Sequence, residues 1–555
     1  ANSMQWSFGD ILTEVAQITD PNKPALIHGE RLITHGDFNV RTNNLARSLL
    51  AGGAEPGDKI AFYMRNCPEY SEGIAAAFKA SLTHVNVNYR YIDHELVYLL
   101  DNADAKIVIY QQEFADSVER IKAQLPLVTQ WIEAQDSTVH NEVLDTDYER
   151  RVRSGDGSAV EVEHSPEDLL FLYTGGTTGM PKGVMWQHDD LFKVMGAGGN
   201  PRLSIPPSAS LDELLSRIQS QPGPVNLPLP PMMHGTGLLS AIGAMAMGGT
   251  CVTLPNTNFD PSQALRAIAA NRVTTVTIVG DAFARPMLEA LDAAPQAYDI
   301  SSVNVITSSG VMWTREIKAG LLEHNENLLL VDGFSSSEAI GLGSSVMTKA
   351  EDIAVAKFTI GPNCRVFTED HREVHPGDNE TGMVAVRGNL PLGYYKDAEK
   401  TDKTFKMIQG ERYSIPGDWV QVEADGTLTL LGRGSNCINT AGEKVFPEEV
   451  EEALKLHDGI DDALVVGLSD PKWGQAITAV IQTRHNQALD PDELKTWARQ
   501  QLAAYKLPKH IFQKESLNRA PNGKADYASI RAFAEAQLKP AESLEALNPG
   551  VKHGT

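Results

Sequence analysis

The chain has 555 residues, 42% of them apolar and 22% charged, which is enough for several domains with a substantial core. Its 48 Lys and Arg against 72 Asp and Glu leave a formal charge of −24. That balance excludes nonspecific binding of nucleic acid or an anionic membrane, and any anionic substrate must be met by a local positive field.

Met4 is read as the native start, with Ala1–Ser3 as an added leader. No cationic stretch with an apolar run follows it, so the cytoplasm is the expected location. From Lys59 the pattern alternates: strand Lys59–Met64, helix Tyr70–Leu82, strand Val85–Asn88, helix Glu95–Asp101, strand Ala105–Tyr110. Apolar strands separated by amphipathic helices imply a parallel sheet covered on both faces. The stretch Asn200–Asn226, rich in Ser, Pro and Gln, reads as a surface insertion. The apolar run Gly237–Gly249 is too short to span a bilayer and reads as a buried core helix.

The alternation then resumes with strand Thr250–Leu254, helix Pro261–Ala270, strand Val273–Val279 and helix Asp281–Leu291. Strands Val303–Thr307 and Asn327–Val331 follow, with a helix between them. Beyond Gly361 the period falls to two: Met383–Arg387, Trp419–Glu423 and Leu428–Leu431 look like strands of a small barrel-like unit. Gly432–Ser435 is the candidate hinge. A compact α+β segment closes the chain, with helices Pro447–Leu456 and Pro491–Leu502 and strands Ala463–Leu468, Ile477–Gln482 and Ile511–Lys514.

The expected fold class is α/β. A large N-terminal domain (4–432) has two doubly wound sheets and the barrel-like unit. A small mobile C-terminal domain (433–539) and a frayed tail (540–555) follow. The four cysteines, Cys67, Cys251, Cys364 and Cys437, share no metal or disulfide spacing.

The most informative stretch is Tyr173–Gly183. Gly175, Gly176, Gly179 and Gly183 let successive backbone N–H groups approach an anion. Thr174, Thr177 and Thr178 add hydroxyls, and Lys182 adds a compact positive charge. The composition is that of a phosphate cradle, although such a cluster between two strands is also an ordinary loop. Walker A spacing cannot be laid over it, and the apolar runs on either side read as strands rather than a following helix.

Asp332–Glu338 offers an aromatic ring, hydroxyls and a carboxylate behind a strand, where doubly wound sheets place ligands; a Ser-rich turn is the plainer alternative. Asp418 suits vicinal ribose hydroxyls and also suits a turn. His234, beside an apolar helix, reads by itself as a core residue, and Lys524 as solvated surface.

Taken together these strings resemble the acyl-adenylate-forming enzymes: acyl-CoA synthetases, luciferases and peptide-synthetase adenylation domains. Six motifs stand in the family's order over almost the whole chain. The resemblance implies ATP, Mg²⁺ and coenzyme A as cosubstrates and cofactor, with Thr178, His234, Glu338 and Lys524 as the catalytic set. Nucleotide contacts would come from Thr174–Gly179, Lys182, Gly310, Asp332, Gly333, Phe334 (stacked on adenine), Ser337, Asp418 and Arg433. Glu338 would bind the metal, Gly442, Glu443 and Lys444 would face the thiol side, and Met232, Met233, His234, Val311 and Met312 would line the acyl pocket.

Lys524 would reach the carboxylate and α-phosphate, and His234 would stand between acyl pocket and thiol tunnel. Gly235 and Thr236 follow His234 where amino-acid-activating relatives carry an Asp, which argues against an amino-acid substrate. Three departures stand out: Ser337 replaces Thr, Pro416 replaces Thr before Gly417-Asp418, and Ser435 replaces the usual Asp or Lys pivot.

The strings Val85–Tyr91, Gly280–Pro286 and Gly393–Asp397 look like a bacterial subgroup acting on fatty acids and sterol side-chain carboxylates. The implied activity is an acid–thiol ligase with a small-molecule carboxylic acid and CoA as partners. The alternatives are an acyl-AMP ligase serving a carrier protein, or a non-catalytic binder of nucleotide or acyl-AMP. No nucleic acid or integral membrane partner is expected, and oligomeric state is open, with a homodimer as one option.

Overall fold

A computed structural model describes residues 3–139, 141–174, 180–309, 313–349, 357–433, 436–440, 443–521 and 523–547. The chain divides into two compact units, residues 1–354 with 386–414 and residues 355–385 with 415–555.

In the first unit, the stretch Lys59–Tyr110 folds as a parallel sheet. Its strands Leu169–Thr174, Thr83–Asn86, Lys59–Tyr63, Ala105–Gln111 and Gln130–Ala134 lie side by side in that order. Ile60, Phe62, Val85, Ile107 and Ile109 are fully buried, as apolar strands with helices on both faces require. Two antiparallel strands extend one edge: Lys182–Gln187 pairs with Leu169–Thr174, and the short Gly393–Tyr394 pairs with Lys182–Gln187.

The second sheet of this unit runs Ala339–Met347, Leu329–Ser336, Val305–Ser309, Thr275–Ile278, Val225–Pro228, Thr250–Thr253, Pro24–His28, Arg31–Thr34. Two doubly wound halves are therefore present. The N-terminal hairpin Pro24–Thr34 completes the second half from far away in sequence.

The Ser/Pro/Gln-rich stretch is more ordered than expected. Helix Leu211–Ser220 begins where Ser210 Oγ accepts from Glu213 N–H at 3.2 Å. Leu214 is fully buried, with Leu211, Leu215 and Ile218 packed on the same core, so helical spacing overrides the polar background. Strand Val225–Pro228 starts inside the same stretch and sits within the second sheet. The apolar run near His234 forms helix Gly235–Ala246.

The second unit begins as an antiparallel sheet. Thr381 pairs with Gln421, Asp418–Val422 with Leu428–Arg433, and Lys357 with Thr429. The turn at Ala424–Gly426 closes as read, with Glu423 N–H donating to Thr427 O at 2.8 Å.

Its C-terminal segment places strands Ile460–Asp470 and Gly474–Thr483 in a long antiparallel pair, with His510–Gln513 parallel to the latter. Helices Pro447–Lys455 and Pro491–Ala498 pack on one face of that pair, with Val450, Leu454, Leu494 and Ala498 against Ala463, Val465, Ile477 and Ala479. Helix Tyr527–Leu547 continues past Pro540, where a frayed tail was expected to begin. Among the described residues no helix is long and apolar enough to cross a membrane.

Candidate active site

The glycine-rich loop is carried by a hairpin whose register ends at Thr174 opposite Lys182. Gly183 is a glycine for a steric reason, since a Cβ there would lie 2.7 Å from the Tyr173 ring. Gly175, Gly176, Thr177, Thr178 and Gly179 lie outside the described residues. The strand that leads into the loop is held by Asn86, a buried amide at the end of Thr83–Asn86. Its Oδ1 accepts from Tyr173 N–H at 2.7 Å, and its Nδ2 donates to Tyr173 O at 3.0 Å and to Met233 O at 2.8 Å. One side chain thus ties the root of the loop to the segment before His234.

That segment is fixed from two further sides. Asn66 Oδ1 accepts from Met232 N–H at 2.6 Å, and the Tyr70 hydroxyl donates to Met232 O at 3.4 Å. Met232 and Met233 are buried, and His234 is half-buried at the N-cap of helix Gly235–Ala246. Gly310, Val311 and Met312 lie outside the described residues.

The Asp332–Glu338 stretch does not follow a strand end at Val331 as read: strand Leu329–Ser336 runs through most of it, and only Ser337 and Glu338 turn into strand Ala339–Met347. Pairing on both edges as far as Gly333, and with Ala339–Met347 alone beyond it, carries the strand that far. Asp332 and Gly333 face Ser308 and Ser309 in register, and Phe334 is buried opposite Gly343. The Asp332 carboxylate is ion-paired with the buried Lys318.

The turn itself is held at three points. Trp186 Nε1 donates to Ser337 O at 2.9 Å, Ser414 Oγ to Glu338 O at 2.7 Å, and the Tyr394 hydroxyl to Glu338 Oε1 at 2.8 Å. Glu338 is 8% exposed, and among the described residues no Lys, Arg or His forms an ion pair with it. A nearly buried carboxylate with one hydroxyl donor suits a divalent cation that brings phosphate and water oxygens with it. Among the described residues no group of three or more His, Cys, Asp or Glu could hold a metal.

Lys182 is half-buried, with its Nζ 3.6 Å from Asp397 Oδ2 and 5.9 Å from the Tyr98 ring centroid. Sequence reasoning noted Gly393–Asp397 only as a family-like string. In the fold it reaches both chemical groups: Tyr394 meets Glu338, and Asp397 meets Lys182. Asn86, inside the family-like string Val85–Tyr91, was likewise given no role, although an amide inside an apolar strand run was the signal that could have found it.

In the second unit Asp418 is buried at the start of its strand, paired in register with Arg433. Glu443 and Lys444 lie on strand Glu443–Val445, opposite Thr440 and Asn439. Gly442, Gly434 and Ser435 lie outside the described residues.

Lys524 is exposed on a turn closed by Ala520 N–H to Lys524 O at 2.9 Å and Gly523 N–H to Ala520 O at 2.8 Å. Arg519 anchors that turn: its Nε and Nη2 donate to Asp462 at 2.6 and 3.0 Å, and its Nη1 to Gly523 O at 3.0 Å. Burial works against the Asp462 carboxylate, but the hydrogen-bonded guanidinium outweighs it and holds the pKa below the usual value. Beside this pair, burial raises Glu451 to about 7 while it accepts from the Tyr527 hydroxyl at 2.9 Å.

Residues 13–395 match the family described as AMP-binding enzyme, and residues 449–524 match its C-terminal domain. The chain is 37% identical over 543 residues to the 3-oxocholest-4-en-26-oate–CoA ligase of Rhodococcus rhodochrous, covering 96% of each. It is 39% identical over 532 residues to the medium-chain acyl-CoA ligase Mig of Mycobacterium avium, covering 93% of this chain and 96% of the relative.

Among solved structures, the anthranilate CoA ligase AuaEII with anthranoyl-AMP superposes with a TM-score of 0.80 at 21% identity, covering 96% of this chain and 98% of that one. ATP-bound MatB from Rhodopseudomonas palustris superposes with a TM-score of 0.79 at 22% identity, covering 95% and 98%. At those identities the structures speak for the fold, while the family matches and closer relatives carry the assignment. The chain belongs to the AMP-binding enzyme family.

Proposed function

We propose that this protein is an ATP-dependent acyl-CoA synthetase that activates a hydrophobic carboxylic acid of the fatty-acid or sterol side-chain type. The observation that carries the reading is identity of 37% across 96% of the chain with a ligase named for a cholestenoate and CoA. A second relative with 37% identity over 548 residues, from Mycolicibacterium smegmatis, is named for medium- and long-chain fatty acids as well as that acid. The buried Met232 and Met233 beside His234 suit an apolar acyl group.

In this reading the acid's carboxylate attacks the α-phosphate of ATP, giving acyl-AMP and pyrophosphate. The CoA thiol then attacks the acyl carbonyl and AMP leaves. The chain's own work is positioning and charge stabilisation. The glycine loop and Lys182 cradle the phosphates, Phe334 and Asp418 hold adenosine, and Lys524 offsets charge that builds at the α-phosphate.

Mg²⁺ held at Glu338 would neutralise charge on the phosphate oxygens. The boundary proposed for movement is 432/433, with the C-terminal domain presenting Lys524 in the first half-reaction and Gly442–Lys444 in the second. The four cysteines are all free thiols, which suits a cytoplasmic protein.

The test is CoA-dependent AMP release over a panel from acetate through fatty acids to sterol-derived acids. Medium-to-long fatty or steroid acids should exceed acetate by orders of magnitude in kcat/KM, because each buried methylene contributes ~0.8 kcal/mol. Acetate or an amino acid as best substrate would refute the assignment.

A further inference from the structure

The segment Gly393–Thr404, a short strand followed by helix Ala398–Thr404, meets the proposed nucleotide site in the first unit at two places, and neither contact is local in sequence. Gly393 and Tyr394 add a strand beside Lys182–Gln187, with Gly393 opposite Met185 and Tyr394 opposite Val184. Tyr395 N–H donates to Gly183 O at 2.8 Å, which continues the pairing toward Lys182. Gly393 has φ of 144°, and a Cβ there would lie 2.5 Å from Thr401 Cγ2, so the position demands glycine.

The Tyr394 ring that follows is 5% exposed, with Lys400 Nζ 4.5 Å from its centroid and Phe405 tilted against it at 6.2 Å. Its hydroxyl accepts from Thr404 Oγ1 at 3.5 Å and donates to Glu338 Oε1 at 2.8 Å. The ring is buried between Lys400 and Phe405, which sets the direction of the donor it presents.

We propose that Tyr394 is a positioning residue for the adenylation reaction. Its hydroxyl takes up Glu338 Oε1, orients the carboxylate, and so keeps the other oxygen available to a divalent cation that arrives with the nucleotide. This rests on the reading of Glu338 as the cation ligand. A flexible glutamate would otherwise share its conformations between the site and the turn, and a donor that fixes a ligand's orientation typically changes metal affinity by ~10–100-fold. Trp186 and Ser414 hold only the turn's backbone carbonyls, so Tyr394 alone, among the described residues, sets the carboxylate by hydrogen bonding.

The experiment is calorimetric binding of ATP as a function of Mg²⁺, and of AMP without metal, to the unaltered protein, Tyr394→Phe and Glu338→Gln. Melting temperature is measured in parallel. Tyr394→Phe keeps the ring and removes one hydroxyl. It should need roughly tenfold more Mg²⁺ for half-saturation with ATP, with AMP affinity and melting temperature unchanged.

An Mg²⁺ requirement equal to that of the unaltered protein overturns the role of Tyr394, while the metal dependence of the unaltered protein and its loss in Glu338→Gln leave the site reading standing. A parallel fall in AMP affinity and melting temperature also overturns it, leaving a residue that only packs. If the unaltered protein binds ATP without regard to Mg²⁺, or Glu338→Gln behaves like it, the Glu338 reading falls and this inference with it.

Discussion

Lys79 shows how a single residue can set a pH dependence away from the chemistry. Lys79 is 3% exposed, and its ammonium donates to Asn39 Oδ1 at 3.0 Å and Thr42 Oγ1 at 2.8 Å, with no carboxylate paired to it among the described residues. Burial lowers its pKa from 10.5 to about 7. Between those values the unfolded chain binds the proton and the folded one does not, so stability rises with pH through that window. Below about 7 the full penalty of charging a buried amine applies, and above about 10.5 it vanishes. Lys79→Met should therefore stabilise the protein at pH 6, by on the order of 4 kcal/mol at most, and hardly at all near pH 10. Urea unfolding at both pH values measures this, and an equal gain at both would mean that desolvation of the charge is not the cause.

Among the elements, the joint that matters most is where Thr83–Asn86, Leu169–Thr174 and the residues before helix Gly235–Ala246 meet at Asn86. The amide satisfies two backbone carbonyls and one N–H that are otherwise buried. Asn86→Ala leaves all three without that partner, at about 1–3 kcal/mol each where no water enters. Asn86→Asp keeps an acceptor for Tyr173 N–H but turns a carboxylate toward the two carbonyls. At pH 8 Asn86→Asp should lose more stability and more ATP affinity than Asn86→Ala, measured by urea midpoint and calorimetry. The reverse order would show that the carbonyls find other donors and that the clamp is dispensable.

For the whole molecule, the question is whether one half-reaction can be damaged without the other. Lys524 sits on a turn braced by Arg519 and Asp462, so its backbone is fixed while its side chain is exposed. Loss of one preorganised donor to developing charge costs about 3–4 kcal/mol, or ~10²–10³ in rate. Lys524→Ala should lose pyrophosphate release by that factor, yet convert supplied acyl-AMP and CoA to thioester at nearly the unaltered rate. Ser435→Pro restricts φ at the expected hinge and should slow thioester formation more than adenylation. Timing the two half-reactions separately decides it: equal damage to both by Lys524→Ala would remove the domain-alternation scheme.

Periodicity alone was enough to read the alternating strands and helices of Lys59–Tyr110 and Thr250–Val331, because local apolar spacing decides which face is buried, whereas the hairpin Pro24–Thr34 and helices Phe8–Ile18 and His35–Ala51 went unread. The strand–loop–strand around Lys182 was legible for the same reason, and motif order led to the family. Helix Leu211–Ser220 was hidden by composition: its four apolar positions lie in a Ser/Pro/Gln-rich stretch, and only the core they meet shows why it forms. Strand Leu329–Ser336 outran its expected end because pairing with Val305–Ser309 as far as Gly333, and with Ala339–Met347 beyond it, carried it through Phe334 rather than local propensity. Tyr394 and Glu338 are 56 positions apart, and Asn86 and Met233 are 147 apart. No local period links such pairs. Hydrogen bonds of this kind arise only after sheet register has placed the strands, so the chemical groups could be named from the sequence, but what orients them was decided by the tertiary structure.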